Sequence, residues 1–158
     1  MEITNKVSGV TYQKGIARIT IRGIPDKPGI AASVFAPLSN ANISVDTIVQ
    51  NASAENLTDL SFTVDVKDLN TALEVTQSVA LTINASECTT RNQLGQVSIV
   101  GTGMQNEPGV ASTMFSTLSA AEVNIEMITT SQIRITCIID ESQIDIATRV
   151  LHEAFGLD

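Results

Sequence analysis

"GIPDKPGIAASVF", Gly23–Phe35, crowds two prolines, two glycines, an acid and a base into its first seven residues, directly ahead of an apolar run. Nearly the same order recurs as "GTGMQNEPGVASTMF", Gly101–Phe115. Sliding the chain against itself by about eighty residues superposes Gly23 on Gly103, Pro28 on Pro108, Gly29 on Gly109 and Phe35 on Phe115. Leu38 then meets Leu118, Ala41 meets Ala121, Asp46 meets Glu126 and Ile48 meets Ile128, without a gap. Agreement of glycine, proline and phenylalanine in one register marks an internal duplication.

Each copy reads alike. "ARITIRGI", Ala17–Ile24, alternates apolar and polar residues and predicts a strand. Pro28-Gly29 opens a helix whose Ile30, Val34, Phe35 and Leu38 share one face, with Pro37 expected to kink or shorten it. "ISVDTIVQ" and "LSFTVDV" predict two more strands, "LNTALEVTQSVAL" a second helix and "ASECTTRNQ" a weak edge strand. The order β-α-β-β-α-β is the ferredoxin-like plan, an α+β fold with an antiparallel sheet and both helices on one face. The second copy follows with "GQVSIVGTG", a helix from Pro108, "VNIEMITTS", "QIRITCIID" and the helix "SQIDIATRVLHEAFG", but its last strand is missing. An unpaired sheet edge and an uncovered helix face would remain. The spare segment "KVSGVTY" can fill the place, which inserts the first copy inside the second. The expected domains are 15–93 and 94–158, the latter completed by an N-terminal strand over 6–12.

Composition narrows the function. The chain has 158 residues, enough for one ordinary domain or two very small ones. Hydrophobic residues make up 43%, with no Trp and one Tyr, so the core is aliphatic. A formal charge of −8 without a Lys/Arg cluster argues against nucleic acid. No apolar run is long enough to span a bilayer, and no signal-peptide pattern opens the chain, so a cytoplasmic, membrane-free protein is expected. Cys88 and Cys137 then read as reduced, buried or half-buried thiols, and the sequons at Asn42, Asn51, Asn56 and Asn84 as coincidence.

Catalytic chemistry is not written in the chain. His152 is the only imidazole, so no Ser, Thr or Cys has a credible base. Metal-ligand spacings and a phosphate-binding lysine loop are absent, and the glycine that would complete a dinucleotide fingerprint after Gly101 and Gly103 is Asn106. No catalytic residue, metal or cofactor is expected. A binding role fits better. A helix start offers unpaired N–H groups and partial positive charge, and a glycine there lets a ligand approach. Asp26 beside it and Asp46 on the next strand could hold an ammonium, which together suits a zwitterionic amino acid. The plainer reading is a rigid turn ahead of a helix.

Two β-α-β-β-α-β copies with "DKPG" and "EPGV" turns resemble paired ACT domains, small-molecule-sensing modules of amino-acid metabolism. "GIPDKPGIAASVF", "ISVDTIVQNAS", "VSIVGTGM", "NIEMITTSQIRI" and "LHEAFGLD" together resemble the regulatory region of bacterial aspartate kinase. That likeness covers residues 7 to 158. The family's "KFGG" kinase motif and kinase domain are absent here, so the resemblance implies a regulatory portion, either a separate β subunit or an excised piece, without phosphotransferase activity of its own. ATP would be needed only at the absent kinase domain. The implied role is feedback sensing of lysine, threonine or both. The implied partners are a second copy, through the ACT domains, and a catalytic domain or α subunit. A free-standing tandem ACT protein controlling another enzyme or transcription is the alternative, against which the spare strand and "TTSQIRI" speak. Family effector sites lie between ACT units of two chains. By motif, Asp26, Gly29, Ile30, Ala31, Asp46, Gln50, Asn51 and Ser53 would serve in the first unit, and Gly109, Val110, Ala111, Asn124, Ile125 and Ser131 in the second. The amides of Ile30 and Ala31 would take a carboxylate, Asp46 an ammonium, and Gln50 and Asn124 polar groups. Asn106-Glu107 stands where the first copy has Asp26-Lys27, so the two sites need not share a ligand.

Overall fold

The computed structural model describes residues 7–52 and 54–157. Lys6, the expected start of the spare strand, and Ser53, an expected contact, lie outside them. Ten main elements follow in order: β1 (Val7–Pro25), α1 (Ile30–Asn40), β2 (Ile48–Ala52), β3 (Leu57–Asp65), α2 (Leu69–Thr82), β4 (Glu87–Gly101), α3 (Pro108–Ala120), β5 (Ile125–Thr130), β6 (Arg134–Asp140) and α4 (Ile144–Ala154). The chain divides into two compact units, Gly15–Asn92 and the segment up to Lys14 joined with the segment from Gln93.

Two expected strand pairs are each one continuous strand. "KVSGVTY" from Val7 onward and "ARITIRGI" run together in β1, and "ASECTTRNQ" from Glu87 onward and "GQVSIVG" in β4. Both long strands contain a left-handed residue at the unit boundary, Gly15 in β1 and Gln93 in β4. The first unit has strand order β2-β3-β1-β4 and the second β1-β4-β6-β5. The β1–β3, β2–β3, β4–β6 and β5–β6 pairs are antiparallel. The first unit is thus inserted in the second.

In the first unit Ile19, Ile21, Leu60 and Phe62 face Val34 and Leu38 of α1 and Ala72 of α2. Phe35 meets Phe62 edge to face with ring centroids 5.4 Å apart, a geometry that suits the aromatic quadrupole. The second unit repeats this with Val97, Ile99, Cys137 and Ile139 under Val110, Met114 and Leu118 of α3 and Ala147 and Leu151 of α4. Away from the helices each sheet carries a hydroxyl pair, Thr20 with Ser61 at 2.9 Å and Ser98 with Thr136 at 2.6 Å.

Several sequence expectations need correction. Pro37 does not shorten α1, which ends at Asn40, the repeat partner of Ala120 where α3 ends. The last turn simply lacks one amide, and Ala41 N still donates to Pro37 O at 3.1 Å. The first helix opens at Ile30, not at Pro28, whereas Pro108 is the first residue of α3. Gly29 at φ 90° is left-handed and stays outside α1. The strand expected from Ile43 begins at Ile48. Asp46 and Thr47 both oppose Thr63, since Asp46 N donates to Thr63 O and Thr63 N to Thr47 O. This is a bulge, which breaks regular pairing.

Candidate effector-binding site

The first-unit turn is braced from below. Arg22 and Gly23 together oppose Asp59 where the β1–β3 register shifts. Gly23 N donates to Asp59 Oδ1 at 2.9 Å, and the Arg22 guanidinium lies 3.5 Å from Asp59 and 3.2 Å from Glu87. Gly23 is left-handed, and a Cβ on it would lie 2.1 Å from Ser86 Oγ. The turn then rises to Asp26, whose N–H donates to Asn56 O at 2.8 Å. Ile30 N reaches Lys27 O at a long 3.4 Å, so that amide is only weakly engaged within the turn.

Gly29 caps α1 without a side-chain hydrogen bond to the helix start. Its carbonyl accepts from both the amide and the hydroxyl of Ser33, each at 3.0 Å. A Cβ at Gly29 would meet nothing within 4 Å. Glycine is required there by φ, not by crowding, and the space before the helix start is open. Asp26 and Ala31 are exposed, while the Ile30 side chain is buried and offers only its amide. Gln50 and Asn51 are exposed on β2 opposite Leu60 and Asp59, at the same end of the unit as the turn. The Asn51 carbonyl is already taken by Thr58 Oγ1 at 2.9 Å.

Asp46 is not at that end. It lies level with Thr63, which pairs with Arg18, whereas the turn follows Pro25, which pairs with Leu57. The run of β3 from Leu57 to Thr63 separates the two levels by about 20 Å at ~3.3 Å per residue. A strand that follows a helix starts where the helix ends, so Asp46 stands near the far end of α1. Its carboxylate and the Ile30 and Ala31 amides cannot grip one small ligand within a single copy of the unit.

The second unit is split the same way. Gly109, buried Val110 and half-buried Ala111 form the first turn of α3, which also has no side-chain cap. Ser131 closes the β5–β6 turn with its N–H on Arg134 O at 2.8 Å, near the end of β4, where Gly101 N donates to Ile133 O. Asn124 and Ile125 stand at the start of β5 beside a concavity lined with Phe115, Ser119, Glu122 and Val123. Ile125 opposes Ile139 and Met127 opposes Ile138, so Glu126 is the extra residue of a bulge. Asn124 Nδ2 donates to Glu126 Oε2 at 3.2 Å. Sequence reasoning left Glu126 out of the candidate site, although the repeat aligns it with Asp46. Both acids occupy bulges at the start of an edge strand.

Among the described residues no cluster of His, Cys, Asp or Glu could hold a metal. Burial pushes the Cys137 thiol up to about 12 and raises that of Cys88, so neither is an activated nucleophile. No helix among the described residues is long and apolar enough to cross a membrane.

The ACT domain family profile matches residues 19–78 and 97–155, one match in each unit. The chain belongs to the ACT domain family. Its tandem ACT pair is of the aspartate kinase regulatory kind. It is 38% identical to the regulatory subunit of aspartate kinase from Thermus flavus, covering 95% of this chain and 99% of that one, with a TM-score of 0.87. It is 42% identical to a chain in the crystal structure of aspartokinase alpha and beta subunits, covering 96% and 99%, again with a TM-score of 0.87. The aspartate kinase Ask_LysC of Stutzerimonas stutzeri is 45% identical over 152 residues, which span 96% of this chain but 37% of that protein. The tandem ACT pair thus spans about a third of the length of that curated relative.

Proposed function

We propose that the chain is the amino-acid sensor of an aspartate kinase, binding lysine, threonine or both to exert feedback inhibition on a catalytic domain or α subunit in the cytoplasm. The carrying observation is the split of the site. Each unit presents an uncapped helix start at one end and a bulge acid at the other. An α-amino acid needs an anion receptor and an ammonium receptor within a few ångströms. A second copy of the chain supplies the missing half, so the sensor works as a homodimer.

In this reading the amides of Ile30 and Ala31 take the carboxylate, with Asp26, Gly29, Gln50, Asn51 and Ser53 around them. Asp46 takes the ammonium or a lysine side chain. Gly109, Val110, Ala111 and Ser131 form the corresponding turn of the second unit, and Asn124, Ile125 and Glu126 its bulge end. A ligand held across two chains binds one dimer packing better than another, and that difference is what a linked kinase can read.

Calorimetry and thermal unfolding with lysine, threonine and their mixture test the proposal. A ligand at 100 times its Kd stabilises by about 2.7 kcal/mol. Asp46→Ala should remove the part of that gain that comes from the first-unit site while leaving the unliganded fold unchanged. No stabilisation by any of the three additions would contradict the sensor reading.

A further inference from the structure

A second concavity lies on the outer side of α4 in the second unit, and none of its lining residues belongs to a helix start named above. It is lined by Tyr12 of β1, by Asp145, Thr148, Arg149, His152 and Glu153 of α4, and by Leu157. The chain has a single His and a single Tyr, and both line this one place. Tyr12 is 58% exposed, although the core is otherwise short of aromatic area. In a chain of net charge −8, a guanidinium, an imidazole and a phenol meeting in one concavity make an uncommon local balance.

The lining also holds two acids. Asp145 is paired with Lys14 at 3.3 Å, which offsets part of the charge of that exposed carboxylate. Thr148 directs its hydroxyl to Ile144 O at 2.8 Å and is occupied as a donor. Glu153 is the one acid of the lining without an ion pair among the described residues, and Arg149 likewise has none. The duplication supplies an internal control. The buried positions Ala72, Thr76 and Ala80 of α2 match Ala147, Leu151 and Phe155 in and after α4, which sets the register between the two helices. Arg149 then stands where the first unit has Glu74, and His152 where it has Gln77. The two copies keep the same buried face, but at this outer position an acid of the first unit is replaced by a base in the second.

We propose that this concavity binds a small oxyanion, a carboxylate or a phosphate carried by a partly apolar ligand. Arg149 and His152 donate to the anion and Tyr12 adds its hydroxyl, while Leu157 and the Tyr12 ring contact the apolar portion. Arg149 suits the task because its planar fork matches both carboxylate and phosphate. Glu153 opposes the anion and sets a low affinity.

The lone histidine makes the test direct, since the chain gives one set of imidazole proton signals. The 158-residue chain is titrated with inorganic phosphate, with acetate, and with chloride at matched ionic strength. The expected result is a saturable movement of the His152 signals with phosphate, acetate or both, and none with chloride. The stronger of the two identifies the source of the oxyanion. Arg149→Gln should weaken binding about tenfold, as loss of a charge-assisted hydrogen bond does. Glu153→Gln should strengthen it, and Lys67→Gln, on the other unit, should change nothing. His152→Gln, followed through fluorescence of the lone Tyr12, should also weaken binding. Arg149, Glu153 and Lys67 are exposed and His152 is half-buried, outside the core, so the four variants fold. Equal responses to all three salts, or a phosphate and acetate response that survives Arg149→Gln, would overturn the proposal.

Discussion

Gly23 and Gly29 are both left-handed, for different reasons. At Gly23 a Cβ would collide with Ser86 and φ is unfavourable as well, whereas at Gly29 only φ forbids a side chain. Gly29→Ala should therefore cost about 1 kcal/mol, and Gly23→Ala about 1–3 kcal/mol more, as read by urea unfolding. Thr76 tests the core in the opposite direction. It is fully buried and its hydroxyl has no partner, while the matching position of α4 is Leu151. Thr76→Val should stabilise by about 1 kcal/mol, because a desolvated hydroxyl without a hydrogen bond is a net loss. Cys137 gives a pH signature. Its folded thiol titrates at about 12 against an ordinary value of 9.0, so only the unfolded chain ionises it between those values. Stability from this group is complete below about pH 9 and is lost as pH rises towards 12, and Cys137→Ala should remove that part of the alkaline slope in denaturant titrations. At this scale the helix-start turn was legible in the chain, since Pro and Gly declare their dihedrals. The reason for Gly23 was not, because Ser86 is remote in sequence.

At the scale of elements, the duplication was readable wherever turn residues anchor it. It misled where strands do. Gly23 matches Gly103 in the linear repeat, yet the hydrogen-bonded hydroxyl pairs match Thr20 with Ser98 and Ser61 with Thr136. The register therefore changes between the strand and the turn, and alternation of apolar residues carries no mark of it. The β2–β3 connection is also longer than the β5–β6 one: the longer meets the helix-start turn at Asp26, whose N–H donates to Asn56 O, and the shorter meets the end of β4, where Gly101 N donates to Ile133 O. The bulges at Asp46 and Glu126 were equally hidden, because one extra residue shifts the alternation without a residue type that marks it. Packing of α1 on β3 rests on Phe62, which is fully buried and touches Phe35. Phe62→Ala should cost about 3–5 kcal/mol in chemical unfolding, and a loss below 1 kcal/mol would mean that the first unit's core is not the one described.

At the scale of the whole molecule, the path of the chain decides which candidate residues can meet one ligand. Sequence proximity suggested that Asp26 and Asp46 flank one ligand, but the return of the chain through α1 carries Asp46 to the other end of its unit. Each chain carries the helix starts of α1 and α3, both without a side-chain cap, and two bulge acids. A dimer that joins them couples binding to packing, which is the property a regulatory subunit requires. The most direct measurement is complementation between two variants, read as the number of lysine or threonine sites per chain by calorimetry. Asp46→Ala removes the ammonium receptor. Ala31→Glu places an acid where the ligand carboxylate would sit, at an exposed position where helix starts tolerate acids. Neither variant alone should bind at the first-unit site, so only second-unit sites should remain. An equimolar mixture, equilibrated to exchange subunits, should recover about a quarter of the wild-type first-unit sites, as random pairing in a two-fold dimer dictates. A mixture that exchanges subunits and recovers no first-unit site would contradict a site shared between two copies.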